Sequence, residues 1–329
     1  MFKKLLFLFV LIYTNFVFAQ PSNELLFSLN QSVLKVHVAT KEGHHGVGSG
    51  VVIQKDYVVT TCHVIANARG VHVTKFGYSY SPDALIADWK NDLCILKFKF
   101  LELPAVKLGS SDHLEYEMEV FGKSYGGNTV KPHTSYGKIK GIHPFLGTNI
   151  LQSSAWFSLG ASGGGLFNSE GELIGVTTFK TAGRFAYFYS VPVEVIKTML
   201  SSGEEISVTT QRELPFWDAP EEELPYFMRV VRLERNKDWE NLKKVALDWE
   251  VKEPESIEAI NYYGIALFHL GEIELAEKQF KQVIQLNEKH SQSIYYLYKI
   301  AKTNNQLDVA ESYKTSLNNL DDSILANEK

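Results

Sequence analysis

The sequence predicts a two-part fold, with a β-rich first part folded as a β-barrel or β-sandwich and an α-helical second part. Between residues 27 and 201, short apolar runs alternate with glycine and polar turns at the spacing of strands. We expect no helix of convincing period in this part before residues 193–200. From residue 223 onward the pattern is helical and repeats at an interval of about 34 residues. The 329 residues are enough for both parts.

Residues 1–19 have the pattern of a secretory signal peptide. Two lysines near the start are followed by an apolar stretch, and Ala19 provides a small residue at the expected cleavage site. The apolar stretch contains Thr14 and Asn15 and is shorter than the ~20 residues that span a bilayer, which disfavours an uncleaved membrane anchor. We therefore expect an exported protein with no membrane span after cleavage, in the periplasm of a Gram-negative bacterium rather than outside the cell.

Composition and charge favour a folded protein and disfavour nucleic-acid binding. Hydrophobic residues make up 45% of the chain and charged residues 22%. A packed core is therefore expected, and disorder is not. The formal net charge of -5 does not provide the basic field that non-specific nucleic-acid binding needs. We expect no nucleic-acid partner.

Apolar runs bounded by turn residues indicate the strands of the first part. Examples of the expected strands are residues 33–38, 50–53, 57–59, 94–98, 173–178 and 185–191. Glycine repetition at Gly46, Gly48 and Gly50 is compatible with a phosphate-binding loop. However, the β-branched Val51 follows where such a loop would have a lysine and a helix N-terminus. The glycines are therefore interpreted as a glycine-rich entry into a strand.

Three segments contain the residue types of a nucleophilic catalytic site. Ser162 is flanked by glycines, which let backbone and substrate approach closely. His63 lies in a mostly apolar segment, where a histidine is more often structural than catalytic, and Asp92 opens an apolar run. A buried carboxylate needs a hydrogen-bond partner, and an imidazole Nδ1–H is one that leaves Nε2 free as a base for the serine.

Together these segments resemble the chymotrypsin-like serine peptidases, and more narrowly the exported bacterial HtrA (Deg) branch. The resemblance rests on Gly48-Ser49-Gly50-Val51-Val52, Thr61-Cys62-His63-Val64, Asp92-Leu93-Cys94-Ile95-Leu96 and Gly160-Ala161-Ser162-Gly163-Gly164, in the order His, Asp, Ser. It covers about residues 25–200 and implies a trypsin-like double β-barrel over residues 20–200. The site would lie in the cleft between two six-stranded barrels, with no cofactor.

The resemblance implies a role for each matched residue. His63 would be the general base and later the acid, Asp92 its orienting carboxylate, and Ser162 the acylated nucleophile. The backbone N–H groups of Gly160 and Ser162 would form the oxyanion hole. Ala161 replaces the aspartate that, in digestive members, pairs with a newly cut N-terminus. Activation by zymogen cleavage is therefore not expected.

Trp156 and the strand that contains Thr178, Phe179 and Lys180 match the walls of the primary specificity pocket of this family. They imply a narrowed pocket with a lysine near its rim. Such a pocket favours a small or apolar residue before the scissile bond. An acidic residue at that position is the alternative. The alternative is that Trp156 and Phe179 are core aromatics.

Cys62 and Cys94 are the only cysteines and flank the histidine and the aspartate of the resemblance. They become neighbours if those two side chains touch, and export favours a disulfide between them. Two buried thiols are the alternative. The adjacent pair His44-His45 has no third ligand at metal-site spacing, so no metal is expected.

Residues 201–222 are rich in proline and acidic residues and predict an acidic linker. Residues 223–324 resemble three tetratricopeptide repeats forming a solenoid, and residues 325–329 form a tail. Ala276 and Ala310 recur at the interval of about 34 residues that is typical of this repeat. A plain helical bundle is the alternative. Such repeats present a groove for peptides, so a protein partner is expected.

The leading hypothesis is an exported serine endopeptidase that hydrolyses protein or peptide substrates through an acyl-enzyme. The helical repeats would recruit a substrate or a partner. The alternative is a non-catalytic chaperone or adaptor on the same fold.

Overall fold

The structure is a computed structural model that describes residues 20–126, 129–181, 188–208 and 213–320, together with Leu325. The predicted signal peptide at residues 1–19 and most of the predicted tail lie outside the described residues. Within the described ranges, no helix is both long and apolar enough to cross a bilayer.

A helix, α1 at Asn23–Ser32, precedes the first strand, where the sequence pattern predicted none. The Ser22 side chain accepts a hydrogen bond from the backbone N–H of Leu25 and so caps the helix. At the other end the Lys75 ammonium donates to the carbonyl of Val33 at 2.6 Å, where a helix leaves carbonyl groups unpaired. The prediction was wrong because a cap and a distant lysine support this short helix, and neither produces a strong periodic pattern.

The first sheet has seven strands among the described residues, in the order β5-β4-β1-β2-β3-β7-β6. The strands are β1 (Val33–Thr40), β2 (His45–Gln54), β3 (Tyr57–Thr61), β4 (Ala68–Lys75), β5 (Tyr78–Tyr80), β6 (Ala84–Asp88) and β7 (Leu93–Lys97). The resemblance implied six. The short β5 arises from a hairpin with β4 around Phe76 and Gly77, which both have the positive φ that a type I′ turn requires.

The second sheet closes into a barrel with the strand order β10-β13-β12-β11-β8-β9. The strands are β8 (Glu119–Ser124), β9 (His133–Phe145), β10 (Thr148–Ser153), β11 (Gly165–Phe167), β12 (Leu173–Lys180) and β13 (Phe188–Pro192). This barrel agrees with the six strands implied. The start of the predicted strand at 185–191 lies outside the described residues.

The segment predicted as an acidic linker, residues 201–222, packs against the β-rich part in the region that the structure describes. Ile206 forms a two-way backbone bridge with Leu85 of β6. A short 3-10 helix at Phe216–Asp218 follows, in which Phe216 is only 4% exposed. The acidic composition predicted a linker, and the aromatic residues within it supply apolar surface that packs it against the β-rich part.

The predicted helical second part is confirmed. Its helices are α4 (Tyr226–Asn236), α5 (Trp239–Lys252), α6 (Ile257–His269), α7 (Ile273–Leu286), α8 (Ser291–Thr303) and α9 (Leu307–Leu320), preceded by α3 (Val193–Ser202) at the end of the β-rich part. Each helix from α4 onward packs on the next in chain order. At the α6–α7 crossing, a Cβ on Gly264 would lie 2.8 Å from the Phe280 ring, so the crossing needs a glycine.

The helices pack against the second barrel, and one hydrophobic core continues from the barrel into them. Phe227 of α4 stacks on His143 of β9 with 4.3 Å between ring centroids. Nearby, the Tyr116 hydroxyl donates to Glu258 at 2.7 Å, and Glu258 faces His290 at 3.3 Å. Burial opposes the charge of Glu258, but the hydrogen bond and the charge of His290, together with a smaller contribution from the Tyr116 hydroxyl, hold the pKa of Glu258 below its ordinary value.

Candidate active site

The end of β3 and the start of β7 bring His63 and Asp92 together. Thr61 of β3 pairs with Leu93 of β7 in the antiparallel ladder, so the residues just after one strand lie beside the residue just before the other. His63 lies in the short helix α2 (Cys62–Ile65) directly after β3. Its backbone N–H donates to Asp92 Oδ1 at 2.8 Å, and its Nδ1 lies 2.7 Å from Asp92 Oδ2.

Asp92 is completely buried and is held by further donors. Its Oδ2 also accepts from the Thr178 hydroxyl at 2.5 Å and from the Trp217 indole N–H at 2.9 Å. Donors of this kind compensate for the loss of water around a buried carboxylate. Because Asp92 is the acceptor, the proton of the imidazole lies on Nδ1 of His63. The lone pair of Nε2 is then free to act as a base.

Ser162 lies on the loop between β10 and β11, and its hydroxyl donates to the backbone carbonyl of Thr178 at 3.0 Å. Among the described residues this carbonyl, rather than His63, is the hydrogen-bond partner of the hydroxyl. Hydrogen bonds between a nucleophile and its base are commonly long or poorly aligned until substrate binds. Thr178 therefore contacts two of the three candidate site residues, Asp92 through its hydroxyl and Ser162 through its carbonyl.

The loop that carries Ser162 is fixed by backbone hydrogen bonds. The Ser162 carbonyl accepts from the Ser49 N–H at 2.8 Å, and the Gly163 N–H donates to the Thr177 carbonyl at 2.8 Å. Gly163 has φ +89°, and a Cβ there would lie 2.1 Å from the Ser49 carbonyl oxygen, so only glycine fits. In the described part of the chain, the N–H groups of Gly160 and Ser162 have no hydrogen-bond acceptor. They are the donors that the resemblance implied for an oxyanion.

The three residues predicted for the specificity pocket differ in their exposure and contacts. Trp156 is half-exposed and packs beside His133 with 4.8 Å between ring centroids, and Lys180 is exposed. Thr178 is buried with its hydroxyl on Asp92, so this side chain serves the carboxylate rather than the pocket. Phe179 stacks on Tyr189 at 4.6 Å. Residues 182–187, which follow this strand, lie outside the described residues.

The structure contains the predicted disulfide between Cys62 and Cys94, with 4.9 Å between the Cα atoms. Cys94 pairs with Thr60 across the β3–β7 ladder, so the disulfide ties together the two strand ends that carry His63 and Asp92. Across the described ranges, no group of three or more His, Cys, Asp or Glu side chains could hold a metal ion.

Sequence reasoning missed Trp217, which lies in the segment predicted as a linker. Its indole N–H reaches a carboxylate 125 residues earlier in the chain. A tryptophan in a segment otherwise rich in proline and acidic residues was the available signal, because such a residue usually packs against something. Nothing in the sequence links it to Asp92 in particular.

Comparisons with known proteins agree with the fold of the β-rich part. Residues 48–176 match the family model described as a trypsin-like peptidase domain. The chain is 29% identical over 217 residues to a probable periplasmic serine endoprotease DegP-like of Buchnera aphidicola, covering 62% of this chain and 42% of the relative. It is 30% identical over 171 residues to the DegP-like protein of Chlamydia muridarum, covering 48% and 34%. The chain thus spans less than half the length of these curated relatives.

Two solved structures show the same fold in part. An HtrA-type protease, AlgW with a tripeptide, superposes with a TM-score of 0.50 at 24% identity and covers 55% of this chain and 63% of its own. The Rv3671c protease of M. tuberculosis superposes with a TM-score of 0.50 at 19% identity, covering 59% and 91%. The matched residues 48–176 therefore carry a trypsin-like peptidase domain, which together with the DegP-like relatives supports a serine endopeptidase.

Proposed function

We propose that this protein is an exported serine endopeptidase that cleaves protein or peptide substrates through a covalent acyl-enzyme. The observation that carries the proposal is the 2.7 Å contact between His63 Nδ1 and the buried carboxylate of Asp92. Ser162, which is bracketed by glycines, lies in the same protein on a loop held by backbone hydrogen bonds. In the HtrA-like branch that the relatives indicate, such an arrangement acts on peptide bonds.

The proposed mechanism assigns one task to each group. The Ser162 hydroxyl turns from the Thr178 carbonyl to His63 Nε2, which removes its proton as the oxygen attacks the substrate carbonyl. The N–H groups of Gly160 and Ser162 stabilise the resulting oxyanion. His63 then donates the proton to the leaving amine, and the acyl-enzyme forms. A water molecule, deprotonated by His63, hydrolyses the ester and restores Ser162.

We propose that the site prefers a small or apolar residue before the scissile bond. The half-exposed Trp156 and the exposed Lys180 border the region where the first residue on the acyl side of the scissile bond would lie. An aromatic wall favours small or apolar side chains there, while the lysine is compatible with an acidic one. A peptide-library profile with cleavage after arginine or lysine would contradict this preference.

We further propose that the helical part recruits a protein partner or a substrate as a set of tetratricopeptide-like repeats. The support is the serial packing of α4 to α9 and the glycine-dependent crossing of α6 and α7. Export to the periplasm is the corresponding location, as in the names of the DegP-like relatives.

Labelling with a fluorophosphonate, which reacts with activated serines, tests the peptidase proposal. The wild-type protein is expected to be labelled at one serine, and Ser162→Ala to remove the label. Ser201→Ala, which changes an exposed serine at the end of α3, is the matched control and should leave labelling intact. A wild-type protein that is not labelled would support the alternative, a non-catalytic chaperone or adaptor.

A further inference from the structure

Residues 213–218, which we call the strap, lie across both sheets of the β-rich part. The backbone N–H of Phe216 donates to the Lys90 carbonyl at 3.1 Å, two residues before Asp92. The Phe216 ring packs against Phe145 of the second barrel at 4.9 Å and against Phe179 at 5.6 Å. The strap is therefore fixed on the first sheet through its backbone and on the second barrel through an aromatic side chain.

Trp217, the next residue of the strap, contacts both His63 and Asp92. Its Nε1–H donates to Asp92 Oδ2 at 2.9 Å. Its ring meets the His63 ring edge-on, with 5.1 Å between centroids and 89° between planes. It also stacks on Phe179 at 6.0 Å. One side chain thus limits movement of the carboxylate by a hydrogen bond and rotation of the imidazole by packing.

These contacts matter because the base works only in one orientation. A hydrogen bond to an ionised group contributes more than one between neutral groups, and the loss of a donor at a buried carboxylate frees that carboxylate to turn. The remaining donors to Oδ2 are the Thr178 hydroxyl and His63 itself. Without the indole, one fixed donor rather than two would hold Oδ2 in place for the imidazole.

We propose that Trp217 is a positioning residue for the His63–Asp92 pair, supplied by a segment outside the matched peptidase domain. The inference rests on the proposed peptidase function. It makes the strap part of the catalytic apparatus rather than a passive connection to the helical part. An aromatic series continues from Trp217 through Phe179 and Tyr189 to Phe227 of α4, with successive centroids 6.0, 4.6 and 5.5 Å apart. The strap and helix α4 are therefore packed as one unit.

The choice of variant matters because the strap also lines one side of a cleft of about 390 Å³ that contains His63. Removing the whole indole would both enlarge this cleft and remove the hydrogen bond to Asp92, so the two effects on the labelling rate could not be separated. Trp217→Phe keeps an aromatic ring and removes the N–H. Trp249→Phe is the matched control, because Trp249 in α5 also donates its Nε1–H to a carboxylate, Glu253, at 2.9 Å.

Fluorophosphonate labelling over a range of reagent concentrations separates the maximal labelling rate from the reagent concentration at half-maximal rate. We expect Trp217→Phe to lower the maximal rate about 10-fold with the half-saturating concentration unchanged, as expected for a lost hydrogen bond to a charged group. Trp249→Phe should leave both quantities unchanged. The proton NMR resonance of His63 Nδ1–H should shift in Trp217→Phe and not in Trp249→Phe.

The outcomes are distinguishable. If wild type and Trp217→Phe are labelled at the same rate, the positioning role is wrong while the peptidase proposal stands. If wild type is not labelled at all, the peptidase proposal fails, and the Nδ1–H resonance alone decides whether Trp217 orients the pair. If Trp217→Phe does not fold, β-(3-benzothienyl)alanine at position 217 replaces it, because sulfur then takes the place of N–H in a side chain of the same shape.

Discussion

Asp92 combines full burial, a carboxylate and a left-handed backbone with φ 60°. A buried carboxylate is unfavourable unless donors surround it, and a positive φ is unfavourable for most residues other than glycine. The backbone conformation turns the side chain under α2, where the N–H and the Nδ1–H of His63 both point at it. The local strain is therefore compensated by hydrogen bonds that also orient the His63 imidazole.

Asp92→Asn is expected to lower the maximal fluorophosphonate labelling rate by about 10⁴-fold, the size of effect known for loss of the orienting carboxylate in a triad. Both carboxylate oxygens accept hydrogen bonds here, whereas an amide offers one acceptor and one donor, so one of its two ends must face N–H or O–H groups. Asparagine tolerates the left-handed conformation, so the backbone can stay as it is, but the buried donor-to-donor contact should lower the melting temperature. A loss smaller than tenfold would show that Asp92 does not orient the base.

At this scale, the sequence was informative where a residue type is tied to a short motif. Ser162 among glycines and His63 after a β-branched run could be proposed as site residues from their neighbours. The hydroxyl of Thr178 and the indole of Trp217 reach Asp92 from segments 86 and 125 residues away, and threonine and tryptophan have many ordinary uses. Only the folded chain shows that they converge on one oxygen.

At the scale of elements, two strands each carry a buried lysine without a carboxylate partner among the described residues. Lys75 on β4 donates to backbone carbonyls at the end of α1, while Lys123 on β8 donates to the Thr134 hydroxyl at 2.8 Å. Burial lowers the pKa of Lys123 to about 8. Burial and the neighbouring Lys123 charge lower the pKa of Lys75 to about 8 as well. Each strand therefore includes a charge that opposes folding at neutral pH.

Lys123→Met is expected to stabilise the protein at pH 7, and the advantage should shrink as the pH rises from about 8 to 10.5. Below pH 8 the lysine is charged in both the folded and the unfolded state, so the folded state bears the full desolvation cost. Between the folded pKa of about 8 and the ordinary value of 10.5, only the unfolded state keeps the proton, so wild-type stability increases with pH. Urea unfolding of both proteins at pH 7 and pH 9.5 measures this. An equal difference at both pH values would contradict it.

Strand prediction succeeded where β-branched residues are dense, as in β1, β3 and β12, whereas glycine weakens the pattern of β9. The 13-residue β9 contains Gly137 and Gly141. A Cβ at Gly137 would lie 2.1 Å from the Ala155 backbone nitrogen, so the barrel requires the glycine that weakens the strand signal. The close approach that fixes this strand in three dimensions is the same feature that hides it in the sequence.

At the scale of the whole molecule, the two-part organisation was predictable, but the contact between the parts was not. A change from strand-like to helical periodicity is a local property of the sequence, whereas the interface depends on pairs such as Phe227 with His143 that come from separate elements. The interface is also partly polar, through Tyr116, Glu258 and His290. Likewise, the acidic composition predicted a linker at residues 201–222 but not its contacts with the β-rich part.

We expect His143 to make this interface sensitive to pH. Its Nε2 lies 2.9 Å from the Gln152 side-chain oxygen and donates to it, and its buried Nδ1 has no hydrogen-bond partner among the described residues. A second proton on Nδ1 would have no acceptor. Burial lowers the pKa of His143 below its ordinary value of 6.5, although the nearby Glu258 opposes this change. The folded protein therefore holds His143 neutral.

The stability of wild type should fall as the pH drops below 6.5, by at most ~1.4 kcal/mol per pH unit from this residue, because the unfolded state takes up a proton that the folded state does not. His143→Gln replaces the imidazole with a donor that does not titrate, so the variant should lose less stability than wild type between pH 7.5 and pH 5.5. The free energy of urea unfolding at both pH values gives the comparison, and other histidines contribute equally to both proteins. If the two proteins lose the same stability, protonation of His143 does not govern the interface, and the pH dependence must come from groups elsewhere in the chain.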